Sequence, residues 1–405
     1  MGGQRGQEGE RMKRTAVIAG ILAGLALPGA LVVSSWVSAG GVPETASGGQ
    51  PASRAARAEW PMFRGSSGML GVAPGKLPDK LQLRWKFKTA GEVGSSAVIA
   101  DGRVFIGSND ANVYCLALPT GRKLWSFSTG DAVEAPPTVV GDTVYVGSSD
   151  TFLHALEAKT GKPRWKFETQ ERVLGAANAF RDPTTKALRI VVGSYDHNLY
   201  CIDPKTGKGL WKYRSGNYIN GGIAVAGGKT VFGGCDAVIH VVPPDGKNAK
   251  TIGAGAYIAA TPAFDGRHVY VGNYEGGFLC ADVEAGKVLW TYKGTQPFVS
   301  SPAVGKDRVV IGCRDGSLHC VDRTSGKKIW TFPTRDEVNS SPVLCGDKVV
   351  VGSNDGRLYM VKLADGKKVW SYDLGDSVES SPAVAGGWVI VGCNDGFVYA
   401  FAPKR

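Results

Sequence analysis

Short apolar runs separated by glycine-bearing polar turns repeat along most of this chain. In the sixth copy the runs cover residues 301–304, 308–312, 317–322 and 328–332. Runs of this length, alternating with Asp-Gly turns, predict β-hairpins rather than helices. The turn between the second and third runs is Asp315-Gly316, echoed at Asp355-Gly356, Asp395-Gly396 and, as a variant, Glu275-Gly276. The next turn carries Thr120-Gly121, Thr160-Gly161, Thr206-Gly207, Ala285-Gly286, Ser325-Gly326 or Asp365-Gly366. Each unit therefore predicts one antiparallel sheet of four strands.

The period shows in the tryptophans. Trp85, Trp125 and Trp165 lie 40 residues apart, as do Trp290, Trp330 and Trp370. Trp165 to Trp211 is longer because Arg181 to Ala187 extends one turn, and Trp211 to Trp290 spans two periods with Thr251 near the skipped position. The count is eight copies, of which the last, Val378 to Arg405, stops before its fourth strand. The missing strand stands at the other end, in Leu81 to Lys88. A four-stranded unit has two faces to bury and does so against its neighbours, so the pattern predicts an all-β, eight-bladed β-propeller closed by that N-terminal strand.

The N-terminal stretch departs from this pattern. Basic Arg11 to Arg14, the apolar run Thr15 to Val33 and the small residues Ser38 and Ala39 read as a secretory signal, with an uncleaved membrane anchor as the alternative. Met12 would serve equally as a start. The expected organisation is a targeting segment over 1–39, a flexible linker over 40–59 and the propeller over 60–405. No cysteine lies near the cut to take a lipid. Export places the chain in the periplasm or cell envelope and removes nucleic acid as a partner.

The residues Cys201-Ile202-Asp203-Pro204-Lys205-Thr206-Gly207-Lys208-Gly209-Leu210-Trp211 are repeated closely at Cys320 to Trp330. They resemble the tryptophan-docking repeat of pyrroloquinoline quinone (PQQ)-type propellers, and Trp60-Pro61-Met62-Phe63-Arg64-Gly65 resembles the segment that precedes many bacterial ones. Signatures of WD40 propellers are absent. The resemblance implies that Trp85, Trp125, Trp165, Trp211, Trp290, Trp330 and Trp370 dock neighbouring blades.

That family includes quinoprotein dehydrogenases, in which a calcium ion, a general-base Asp and often adjacent cysteines serve the cofactor. This chain has no adjacent Cys pair and no long inserted loops, so no cofactor is expected and the chain reads as a non-enzyme. The eight cysteines follow the repeat and are expected to be free, with Cys313 opposite Leu318 and Cys320 opposite Ile311. His154, His240 and His319 share a repeat position with Tyr114, Tyr200, Tyr359 and Tyr399. Equivalent positions in separate blades do not converge, so no metal site is expected. The acids at Asp110, Asp150, Asp196, Asp236, Asp315, Asp355 and Asp395 read as turn residues.

The formal charge is +11, but sorting loops by propeller face divides it. Glu92, Asp131, Glu134, Glu171, Asp336, Glu337, Asp376 and Glu379 fall on one face with few countercharges, Arg335 among them; lysines crowd the other. On the acidic face, Tyr218 and Asn220, Tyr257 and Phe298 sit in three successive loops, with Tyr195 and Tyr274 in nearby turns. Together with Arg335 and Glu379 they form the candidate partner-binding face. The expectation is a monomeric, BamB-like platform that binds protein partners in the envelope. A propeller binding a small molecule or glycan in its central funnel is the alternative, and a PQQ-dependent dehydrogenase the third reading.

Overall fold

The computed structural model describes residues 59–404. The targeting segment and all but the end of the linker lie outside the described residues. Among the described residues no helix is long and apolar enough to cross a membrane.

The strands assemble into eight antiparallel sheets, seven of four strands and one with a fifth added. In six of them the first strand lies at one edge and pairing follows chain order outward; in the seventh blade the added strand lies outside the first, and in the eighth the outermost strand comes from the N-terminal end. The first blade is Val98–Ala100, Arg103–Ser108, Asn112–Ala117 and Lys123–Ser128. The last combines Ala383–Ala385, Trp388–Gly392 and Phe397–Ala402 with Gln82–Lys88 from the other end of the chain. Trp85 stands opposite Ala400 in that closing pair. The ring is thus sealed by the strand that the truncated last copy lacked. In the sixth blade the hairpin register is one residue off expectation: Cys313 faces Ser317, and Cys320 faces Val310, because the turn takes up Arg314 with Asp315 and Gly316. All eight cysteines are free.

Adjacent blades are joined at the outside by tryptophan. The indole N–H of Trp85 donates to the Leu118 carbonyl at 2.7 Å, and Trp125, Trp165, Trp211, Trp290 and Trp330 donate to Ala158, Pro204, Pro244, Arg323 and Leu363. Each ring lies flat on a turn glycine of the next blade. A Cβ at Gly121 would sit 2.6 Å from the Trp85 ring, and the same holds within 2.8 Å at Gly161, Gly207, Gly246, Gly326 and Gly366. These glycines also have positive φ, between 69° and 74° at Gly121, Gly161, Gly207, Gly246 and Gly366. Two independent constraints therefore require glycine at that turn.

Nearer the axis, blades are tied by a belt of hydroxyls. The backbone N–H groups of Gly222, Thr261, Ser301, Ser341 and Ser381 donate in succession to the hydroxyls of Thr261, Ser301, Ser341, Ser381 and Ser96. The belt runs from the fourth blade round to the first. At one end of the axis an N-terminal strap crosses beneath it. Its backbone bonds the first strands at Ile99, Val139, Val225, Phe264, Val304 and Leu344, and Val72–Ala73 pairs in parallel with Val343–Cys345. Arg64, only 1% exposed, points from the strap to the carbonyls of Pro302, Ser341 and Pro342. Burial pulls its pKa down to about 9, which leaves the guanidinium charged at neutral pH.

Candidate functional site at the open end of the axis

The opposite end carries the loops that join one blade to the next. Each holds an apolar residue driven into the interblade core: Val93, Val133, Val173, Ile219, Ile258, Phe298, Val338 and Val378 are all 0% exposed. Each of these packs on a glycine that ends a second strand, as Phe298 does on Gly272 and Val338 on Gly312. The second-to-third turns are drawn onto the same face by backbone bonds to these loops, such as Asn109 to Glu92, Tyr195 to Arg172 and Asn394 to Ser377. The anchor fixes the loop, and the side chains beside it are left free to differ.

Those neighbours build a cavity of about 230 Å³, lined by Glu92, Gly94, Asn109, Glu134, Leu174, Asn220, Glu379 and Asn394. Three carboxylates and three amides thus surround one hollow. The Glu379 carboxyl is pushed above the usual range, first by the loops that shut water away from it and then by the like charge of Glu92. Arg314 works against this rise, but it is engaged elsewhere: its Nε lies 3.4 Å from Glu337 and 3.3 Å from the Asn339 amide oxygen. Asn220 is held by the Tyr195 hydroxyl, which donates to its Oδ1 at 2.7 Å. Tyr195 in turn stacks on Tyr218 at 5.0 Å, and the Arg172 guanidinium also lies over its ring.

The residues singled out from sequence therefore separate. Asn220 and Glu379 line the cavity, and Tyr195 supports it. Tyr218, Tyr257 and Tyr274 stand exposed on the same face, Tyr257 most at 59%. Phe298 does not belong with them. It occupies the anchor position and packs against Phe278, Tyr292 and His319, so its ring is unavailable to a partner. Arg335 is exposed, with its backbone N–H tied to Asp355, and is not among the residues lining the cavity. Glu92, Glu134, Asn109 and Asn394 complete the lining; the readable signal for Glu134 and Glu379 is the residue that follows each buried anchor.

A second cluster overturns part of the sequence reading. Cys313, Asp315 and His319 bring three potential ligand atoms within 4.8 Å of one another. His319 Nε2 lies 3.0 Å from Asp315, its Nδ1 meets the Tyr292 hydroxyl at 2.9 Å, and Cys313 donates to the Gln296 carbonyl. Sequence reasoning looked for histidines converging from separate blades and missed convergence within one hairpin. The Asp–His pair is one case of a clasp repeated as Asp110–Tyr114, Asp150–His154, Asp236–His240 and Asp355–Tyr359. In this blade a thiol completes a sulfur, nitrogen and oxygen donor set of the kind zinc accepts. Burial pushes the Cys313 thiol up to about 12, so a metal would have to displace its proton.

The family described as outer membrane protein assembly factor BamB matches residues 79–216, 236–316 and 314–405. The chain belongs to this family. No curated protein matches the chain. Among solved structures, BamB from Moraxella catarrhalis is 17% identical with a TM-score of 0.67, over 80% of this chain and all of that one. The quinohemoprotein alcohol dehydrogenase of Comamonas testosteroni is 16% identical with a TM-score of 0.74, over 86% of this chain and 81% of that one. A europium-containing methanol dehydrogenase is 13% identical with a TM-score of 0.70, over 85% and 98%. At these identities the likeness establishes the fold, which BamB and dehydrogenases share. The expectation of a non-enzyme rested on short loops and a missing ligand set. It is corrected here by the Cys313–Asp315–His319 donors and by a fold that equally carries quinone-dependent oxidation.

Proposed function

We propose that this is an exported, ligand-binding propeller of the cell envelope that takes a small, positively charged ligand at the open end of its axis. The observation that carries the reading is the cavity itself: Glu92, Glu134 and Glu379 face one hollow with three amide side chains and no lining cation. Charge gathered in a low-dielectric funnel raises the local concentration of a counter-ion and favours its capture. Location in the envelope follows from the BamB family match and the resemblance of the N-terminal segment to an export signal.

The oxygen donors also suit a hard divalent ion such as calcium, which takes carboxylates and amide carbonyls. Glu92, Glu134, Glu379 and the amides of Asn109, Asn220 and Asn394 are the residues that would hold it. PQQ carries carboxylates of its own, so in this mouth it would need that cation to bridge like charges.

Titration calorimetry with calcium and with spermidine tests the reading. Saturable binding to the wild type, lost in the Glu92→Gln, Glu379→Gln double variant, is expected. Heats that are absent for both probes, or unchanged in the variant, would rule it out. Adding PQQ with and without calcium extends the test to oxidation chemistry. A second reading, docking of an envelope protein, is favoured by one observation: Tyr218, Tyr257 and Tyr274 stand exposed on this face, and aromatic residues are enriched at interface hot spots.

A further inference from the structure

Six of the eight blade junctions are closed by an indole lying on the next blade's turn glycine; at the seventh-to-eighth junction Trp370 instead packs on Tyr372 and Phe401, and between the fourth and fifth blades no tryptophan is present. The fourth strand of the fourth blade, Lys250–Gly253, carries Lys250 opposite Val241, where the matching pairs elsewhere are Trp125 with Cys115 and Trp330 with Cys320; Thr251 opposite His240 matches Thr331 opposite His319 and points to the other face of the sheet. The receiving turn is nonetheless intact. Gly286 keeps the left-handed backbone of its counterparts, with φ of 65°. A Cβ built on Gly286 would meet nothing within 4 Å, whereas at the six other turns it would meet a tryptophan ring. Gly286 is correspondingly exposed, while Gly161, Gly326 and Gly366 are buried. At Trp85, Trp125, Trp165, Trp290 and Trp330 the indole donates to the carbonyl three residues before the glycine, and the matching carbonyl here is that of Val283.

The notch is also held open. Lys229 of the fourth blade reaches across to Glu284 of the fifth in an ion pair that ties the two blades without filling the space. Beneath it, Ile252 and Val283 are buried in the core shared by these blades, so the floor is apolar as it is elsewhere. Floor, glycine turn and carbonyl are those that accept an indole at the six tryptophan-closed junctions; here Lys250 stands where the indole would, and its side chain does not cover the glycine.

We propose that the notch at Gly286 is a docking site for an exposed tryptophan on a segment of another protein, which would complete in trans the contact that the other blades make in cis. The occupant's chemistry is fixed by the chain's own docks: a flat aromatic ring that covers the glycine and an N–H that reaches the Val283 carbonyl. This surface is separate from the axial cavity, and the proposal does not depend on the reading of that cavity.

N-acetyl-tryptophanamide is the probe. Titrated into isotopically labelled protein, it is expected to shift the amide signals of Gly286 and Thr251 saturably at millimolar concentration, while N-acetyl-leucinamide shifts them much less. Lys250→Trp, which fills the notch from within, is expected to abolish those shifts and to raise the melting temperature by about 2–4 °C. Lys250→Phe, which fills the space without the N–H, is expected to block the probe with a smaller rise. No saturable shift in the wild type would overturn the proposal, even if Lys250→Trp is stabilised. Equal responses to the two amides would overturn the indole assignment. Concentration-dependent dimers that Lys250→Trp dissolves would make the occupant a second copy of this chain and overturn the heterologous partner.

Discussion

The two ends of the propeller axis are built on opposite plans. One is closed by main chain: the strap bonds first strands around the ring, and a buried guanidinium caps carbonyls of the sixth and seventh blades. The other is left open, and only side chains define it. There each loop divides its labour between a buried apolar anchor and a neighbour with no structural duty. Gly94, Glu134, Leu174, Asn220 and Glu379 line the same hollow although they share no chemistry. A regular repeat thus acquires a particular site without disturbing its regularity.

The sharpest way to break that division is to attack an anchor. Phe298→Ala should lose about 3–5 kcal/mol, the usual cost of removing a buried aromatic ring, read from urea unfolding of the purified propeller. Tyr257→Ala, one blade earlier and exposed, should change stability by no more than about 0.5 kcal/mol. Similar losses from the two would mean that anchor and lining are not distinct.

At the closed end, Arg64→Ala should lose about 2–4 kcal/mol, because it strands buried carbonyls at Pro302, Ser341 and Pro342. The expected signature is loss of stability with unchanged calcium or spermidine binding at the far end. A coupled loss of binding would show that the strap also shapes the open mouth.

Much of this was legible in the chain before folding. Period, blade number and ring closure follow from Trp spacing and from the strand at Leu81 to Lys88, because they depend on local turn chemistry repeated many times. The axial site was harder. Asn220 and Glu379 were reachable, yet Phe298 was placed with the tyrosines because aromatic residues in loops look alike until depth is known. Its alignment with Val338 and Val378 was the signal that would have corrected it. The Cys313, Asp315 and His319 group is hidden by the repeat, which aligns each residue with its equivalents in other blades, where they stay apart, while the three converge within one hairpin.

The hydroxyl belt offers a smaller test of how the closed and open ends are connected. Ser341 both accepts from the Ser301 N–H and lies beside the carbonyl that Arg64 binds. Ser341→Ala should lose about 1 kcal/mol, the net worth of one intramolecular hydrogen bond, plus the cost of an unpaired N–H. Combining it with Arg64→Ala should give less than the sum if strap and belt act as one network.

The smallest expected effect on stability falls at the open mouth, where the effect on binding should be largest. The Glu379 carboxyl titrates above its unfolded value because burial, and then the like charge of Glu92, disfavour its charged form. Such a group favours the folded state below the unfolded carboxylate pKa, and that contribution is lost as pH rises through the higher folded value. At neutral pH, Glu379→Gln should therefore leave stability unchanged or raise it by no more than about 0.5 kcal/mol. Cation binding should move the other way. It should weaken roughly tenfold in the variant, the equivalent of about 1.4 kcal/mol. In the wild type it should weaken as pH falls into the range where Glu379 takes up its proton. A variant that loses stability while keeping its cation would place Glu379 with the anchors, and the two ends of the axis would then differ less than their construction implies.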